Sequence, residues 1–290
     1  MSLVNGRWEG PVLDNHFHLD RENRFTDAAL DFQRAGGTHL VLVHKPGVQP
    51  PANISGYRTA YSDTLDMAET VRRDLGIHVR VVLGPHPAVW AHQIDDIGVE
   101  AASELHLEAV ELAIAHCEEG DAVGVGEVGR PHWDVDEATW SAANDLLLEV
   151  LSMCSKAGVP VQLHLEGDGE PTYSEVAQIC DAAGMFRNDA IHHHAQADVS
   201  AAFTHGLIPS VLVGKGCVET LVDTLSSNET GFLMETDYMD DPQRPGAVLG
   251  PKTVPKRTQA LATALIDAGE DAEELLHRAH QDLPDSLYGN

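Results

Sequence analysis

Val123-Gly124-Val125-Gly126-Glu127-Val128-Gly129-Arg130, VGVGEVGR, is the stretch that decides between two α/β folds. It spells GxGxxG after a strand-like run, the spacing that cradles a pyrophosphate in a doubly wound dinucleotide-binding sheet. In that fold the third glycine opens a helix. Here Arg130-Pro131-His132-Trp133 follows, and helical periodicity starts only near Glu137. Glu127 also lies inside the motif, where its carboxylate would meet the pyrophosphate. The run reads instead as a strand carrying a carboxylate to its C-terminal end.

Outward from that strand, short β-branched runs alternate with longer amphipathic ones. Strands are expected at Val12–His18, His39–Val43, His78–Leu83, Ala122–Glu127, Val159–Leu165, Ala190–His193, Leu207–Val213 and Phe232–Glu235. Helices are expected at Asp27–Ala35, Ala60–Leu75, Val99–Cys117, Glu137–Ala157, Tyr173–Ala183, Val199–Thr204, Cys217–Ser226 and Val254–Ala268. Many stop at a glycine: Gly36, Gly76, Gly120, Gly158, Gly184. A final helix near Ala272–His280 looks like an addition. Eight strand–helix units predict an α/β fold, a (β/α)8 TIM barrel in one domain over residues 1–290. A doubly wound sheet is the competing arrangement, and periodicity alone does not exclude it.

The formal net charge is −28. An acidic surface repels polyanions at ordinary ionic strength, and no basic run offsets it, so broad electrostatic capture of nucleic acid is disfavoured. One reading is the surface of a halophile, because molar salt shortens the Debye length to about 3 Å. No run of eighteen apolar residues suggests a membrane span. The first residues lack a secretory pattern, so a cytoplasmic location is expected. Cys117, Cys154, Cys180 and Cys217 form no CxxC pair and read as reduced core thiols.

The chemistry gathers at strand ends. In Val12-Leu13-Asp14-Asn15-His16-Phe17-His18-Leu19-Asp20, residues two apart share a face, so His16 and His18 point one way with Asp14 below them. Strand 4 ends with Glu127, strand 5 with His164-Leu165-Glu166, strand 6 with His192-His193-His194 and strand 8 with Glu235-Thr236-Asp237. In a barrel all these ends meet at one mouth, where such enzymes work. Imidazole and carboxylate are ligands for divalent ions. Arg130 and Arg244 lie on loops after strands 4 and 8 and could bind phosphate or carboxylate, or form surface ion pairs. Lys45 ends strand 2. Asp240 and Asp241 read as a loop turn.

The motifs DNHFHLD (14–20), GPHP (84–87), GEVGRPH (126–132), VPVQLHLE (159–166), a strand ending in histidine near 193, and METD (234–237) occur together in this order. Jointly they resemble the TatD-like metal-dependent hydrolases of the amidohydrolase superfamily. GGTHLVLVHKP (36–46) and ETDYMDDPQRPGAVLGPKTVP (235–255) look closest to an archaeal group. The resemblance implies a barrel with one or two divalent ions at its mouth, zinc first, with manganese, magnesium, nickel or iron as alternatives. His16, His18 and Asp237 would hold one ion. Glu127 would bridge to a second, held by His164 and a strand-6 histidine. Strand alternation lets either His193, or His192 with His194, face inward, and the archaeal likeness favours His193. His86 resembles a substrate or supporting contact, and Glu235 an orienting partner for a ligand. The implied reaction is hydrolysis by a metal-activated water, with Asp237 taking the proton. Phosphodiesters, as in a DNA exonuclease, are the leading substrates, whether small molecules or short oligonucleotides. The alternatives are a small ester, amide, lactone or phosphotriester, or a metal-bound binding protein without activity.

Overall fold

The computed structural model describes residues 2–47 and 50–289. Eight parallel strands carry the fold: β1 Leu13–His18, β2 His39–Val43, β3 His78–Leu83, β4 Gly124–Gly129, β5 Val161–His164, β6 Ala190–Ala195, β7 Ile208–Leu212 and β8 Leu233–Glu235. They pair in chain order. The barrel closes through a break in the last strand. After β8 the short segment Tyr238–Met239 crosses over and pairs in parallel with Phe17 and His18 of β1. The carboxyl group of Asp14 seals the gap, accepting the Thr236 N–H at 2.9 Å and the Thr236 hydroxyl at 2.6 Å. This is the expected TIM barrel, with helices between successive strands.

The helices are α1 Thr26–Arg34, α2 Ile54–Leu75, α3 Pro87–Ile97, α4 Val99–Glu119, α5 Glu137–Ala157, α6 Glu170–Ala183, α7 Ala201–Thr204, α8 Cys217–Leu225 and α9 Thr253–Ala268. Their ends follow local chemistry. The Asp136 carboxylate caps α5 by accepting the Thr139 N–H, and Gly158 ends it in the left-handed conformation. Three features depart from expectation. Helix α3 is not among the expected elements, because its N-cap is a histidine: His86 Nδ1 accepts the Ala88 N–H at 3.0 Å, ahead of Pro87 at the first helical position. A hairpin, Leu3–Val4 with Arg7–Trp8, precedes the barrel. The added final helix is three pieces: Ala272–His277, a π-helical stretch Arg278–Asp282, and Leu283–Tyr288.

The glycines of the VGVGEVGR run have a packing explanation. A Cβ on Gly126 would come within 2.8 Å of the Gln162 Cβ, and one on Gly129 within 2.0 Å of the His164 carbonyl oxygen. They let β4 press against β5; no helix starts at Gly129, as the absence of helical periodicity implied. Inside the barrel Leu13, Val41, Val82, Ile191 and Leu233 form an apolar plug with Tyr288. No helix among the described residues is long and apolar enough to cross a membrane. The four cysteines are free thiols, three of them buried.

Candidate metal centre

Three strands that carry candidate ligands are bulged. Register against the neighbour slips between Asp14 and Phe17 in β1, between Val125 and Val128 in β4, and between His192 and Ala195 in β6. Each slip puts an extra residue in the strand and re-aims its side chains. His16, Glu127 and His193 all lie within these bulges, and all are buried.

Their donor atoms converge. The Nε2 atoms of His16 and His18 are 3.1 Å apart and lie 3.5 and 3.3 Å from Glu127 Oε1. Asp237 Oδ1 lies 3.9 and 3.7 Å from the same two nitrogens. On the other side, Glu127 Oε2 is 2.7 Å from His164 Nδ1 and 2.9 Å from His193 Nε2. All six residues expected as ligands are thus brought together, and the Glu127 carboxylate divides them into two groups. Of the strand-6 alternatives, His193 reaches both groups. His192 packs on Tyr173, away from the carboxylates. His194 also turns to the mouth, its Nδ1 2.9 Å from Asp237 Oδ2, because its left-handed backbone (φ 55°) breaks the strand's alternation.

The neighbours fix which nitrogens carry protons. His18 Nδ1 lies 3.0 Å from the Val43 carbonyl oxygen, and His16 Nδ1 lies 2.8 Å from Gln162 Oε1. Both acceptors require a proton on Nδ1, which leaves two Nε2 lone pairs facing each other. Lone pairs held at 3.1 Å repel unless a cation sits between them. The donor set therefore fits a divalent ion. His86 is the opposite case. Its Nδ1 accepts from Ala88, so its Nε2 carries the proton that points at Glu127 Oε2, 3.5 Å away. With its proton on that nitrogen it donates to the pocket and has no lone pair to offer a metal.

The electrostatics agree. Burial, then the neighbouring His193, lowers His16, and burial brings His164 down to about 3. Both are neutral, as ligands must be. Burial alone would raise Glu127, but His86, His193 and His16 outweigh it and hold the carboxyl well below its usual range. Burial likewise opposes ionisation of Asp237, yet the His194 hydrogen bond and the nearby imidazoles keep it at about 2. His193 is the exception: burial works against its charged form, but Glu127 and Glu235 raise it well above 6.5. A cation entering here would displace that proton.

Other side chains support this set. Glu235 is buried, accepts the His194 N–H at 2.7 Å and lies 3.3 Å from His193 Nδ1, the orienting place expected for it. His132, not singled out in the sequence, puts Nδ1 2.6 Å from His164 Nε2 and so can hold that ring. Its signal was its position in the loop just past Glu127.

The two arginines are not brought to the pocket. The Arg130 guanidinium is buried, paired with both oxygens of Glu166, with Asn144 Oδ1 at 2.8 Å and Glu175 at 3.0 Å, and it stacks over Trp140. Arg244 pairs with Asp241 on the surface at 2.9 Å. Lys45 is tied to Asp20 and to the Asp240 carbonyl oxygen. Arg130 instead clamps the ends of β4 and β5, the strands of Glu127 and His164. Arg130→Met should cost about 3–5 kcal/mol, read from urea midpoints at neutral pH, because it strands a partly buried carboxylate. A loss of under about 1 kcal/mol, the range of surface pairs, would show that the clamp is ornamental.

Several solved structures share this barrel. The TatD homolog YjjV of Escherichia coli K12 is 19% identical with a TM-score of 0.62, and a TatD family hydrolase of Entamoeba histolytica is 11% identical with a TM-score of 0.58. The phosphotriesterase homology protein of Escherichia coli, complexed with phosphate in its active site, is 12% identical with a TM-score of 0.62. Each likeness covers 96% of this chain and 98% of the other. The uncharacterized protein MJ1127 of Methanocaldococcus jannaschii is 30% identical over 282 residues, 96% of this chain and 95% of that protein. The family model for TatD-related DNases matches residues 13–288, and the chain belongs to that family.

Proposed function

We propose that the protein is a metal-dependent hydrolase of phosphodiester bonds, acting on a small molecule or a short oligonucleotide. The observation that carries this reading is the divided Glu127 carboxylate, Oε1 toward His16 and His18 and Oε2 toward His164 and His193. His16, His18 and Asp237 would hold one divalent ion, with Glu127 bridging to a second on His164 and His193. Zinc suits this set, and manganese, magnesium, nickel or iron are alternatives. When bound, such ions supply Lewis acidity and make water acidic enough to lose a proton near neutral pH. The protein's own part is positional. His194 holds Asp237 Oδ2 and leaves Oδ1 over the pocket to accept the proton of the attacking water. The His86 Nε2–H, which points toward Glu127 Oε2, would donate to a substrate oxygen entering the pocket.

Family membership supports the phosphodiester reading. One observation favours a second reading, a small ester, amide, lactone or phosphotriester as substrate. Arg130, Arg244 and Lys45 are each committed to acidic partners, and the chain carries a net charge of −28. The two separate in one panel: metal-loaded protein in concentrated potassium chloride, offered short single-stranded DNA, an aryl phosphodiester, an aryl ester and a lactone. Phosphodiester turnover should exceed the others by about tenfold or more. Turnover confined to esters or lactones would move the assignment to the second reading. No turnover of anything, with metal bound, would leave a binding protein.

A further inference from the structure

We propose that Trp133 is a stacking platform for an unpaired base of the substrate, in a groove at the rim of the metal pocket. The proposal rests on the phosphodiester reading above and adds a subsite to it. The groove has a volume of about 260 Å³ and runs between α3 and the β4–α5 connection. Ala91, Ile94 and Asp95 line one wall, and Trp133, Val135 and Asp136 the other. Pockets that enclose drug-sized ligands hold roughly 300–1,000 Å³, so this groove suits a single ring system. Both walls belong to strand-to-helix connections, and therefore to the face where the C-terminal ends of the strands open.

Both walls also spring from the pocket. His86, whose Nε2 lies 3.5 Å from Glu127 Oε2, is the N-cap of α3. Ala91 stands about 7 Å further along that helix axis, at ~1.5 Å per residue. On the other wall His132 puts Nδ1 2.6 Å from His164 Nε2, with the two ring centroids 4.7 Å apart. The Trp133 ring meets His132 edge to face, centroids 5.0 Å apart at 87°. These spacings suit the reach from a phosphate at the metal pocket to the base it carries.

Trp133 is 39% exposed. Among the described residues Phe186 is the other exposed Phe, Tyr or Trp, and it lies between α6 and β6, at the opposite end of the barrel. The edge-to-face contact with His132 covers at most one face of the indole, which leaves the other to a flat ring. Charge selects a base rather than a phosphate. No lysine or arginine lines the groove, and Asp95 and Asp136 would repel an anion. A chain of net charge −28 gains little by steering phosphates, whereas stacking needs no cation and accepts any base, since every base has a π-face. Stacking also survives the screening of molar salt.

Deoxyadenosine monophosphate and deoxyribose 5-phosphate carry the same phosphate and differ in the base. Calorimetry of both on zinc-loaded protein in concentrated potassium chloride reads what the base contributes. In Trp133→Ala affinity for the nucleotide should fall about 5- to 150-fold, with the sugar phosphate held within about twofold. Trp133→Phe, which keeps an aromatic face, should retain most of the nucleotide affinity. Nucleotide binding should also quench indole fluorescence, and Trp133→Phe should lose that quenching. Equal affinity of the unsubstituted protein for the two ligands would overturn the proposal even if Trp133→Ala fails to fold. So would a nucleotide affinity that Trp133→Ala leaves unchanged. In both cases a bound sugar phosphate keeps the phosphodiester reading standing. If neither ligand binds the unsubstituted metal-loaded protein, that reading falls and the proposal falls with it.

Discussion

Glu127→Gln should reduce hydrolysis by about three orders of magnitude or more and remove the second ion from the loaded protein. Each oxygen of the carboxylate faces its own pair of imidazoles, Oε1 at 3.3–3.5 Å and Oε2 at 2.7–2.9 Å. An amide keeps one acceptor and turns two hydrogens toward nitrogens whose lone pairs point inward. One half of the site then loses its anionic donor and meets a repelling dipole. The charge is missing too, and Glu127 is buried among the His16, His18, His164 and His193 rings, where no water can replace it. Metal per chain by mass spectrometry and turnover of the best substrate from the panel should fall together. A variant that binds the same metal and turns over within about tenfold would show that Glu127 is not the bridge, since removing a group that stabilises a transition state costs far more.

The family, the barrel and the convergence of His16, His18, Glu127, His164, His193 and Asp237 were legible because they depend on strand order and on residue type at strand ends. What sequence could not supply was side-chain direction inside bulged strands. The rule that residues two apart share a face assumes regular pairing. The register slips of β1, β4 and β6 break that assumption where the candidate ligands sit. Alternation therefore allowed either His193 or its two neighbours to face inward, whereas His193 and the adjacent His194 both reach the pocket. Arg130 misled for a different reason. A cation after a ligand strand looks like a phosphate clamp until the acids that meet it are known, and Glu166 and Glu175 come from distant segments. Tyr288 left no periodic trace, since its place in the barrel plug is a long-range contact made from the end of the chain's last helical piece.

The second large effect should appear on acidification: the metal-free protein should unfold between about pH 6.5 and pH 4, a loss of stability that begins above the range where its exposed carboxylates titrate. His44, His106, His192 and His280 lie outside the ligand set and are buried, and burial brings each down to about 3. The unfolded chain protonates these rings near 6.5, so their contribution is present above that pH and is lost as pH falls toward 3. Each costs about 1.4 kcal/mol per pH unit through that window. Asp14 acts oppositely, since burial raises it to about 8 and the fold gains from its protonation as pH falls. His193, raised well above 6.5, is charged in both states below that value and has no net effect there. Four rings against one carboxyl leave at least three protons, a fall of about 4 kcal/mol per pH unit. A stability of about 5–15 kcal/mol is spent within a few units. His106 is the sharpest test, because its Nδ1 has no hydrogen-bond partner and Leu can replace the ring without breaking a bond at that atom. His106→Leu should move the acid midpoint, followed by circular dichroism, to lower pH and flatten the slope of stability against pH between 6 and 4.5 by about one proton. An unsubstituted protein that stays folded to pH 3.5, or a slope the substitution leaves unchanged, would mean that these imidazoles are already protonated in the native barrel.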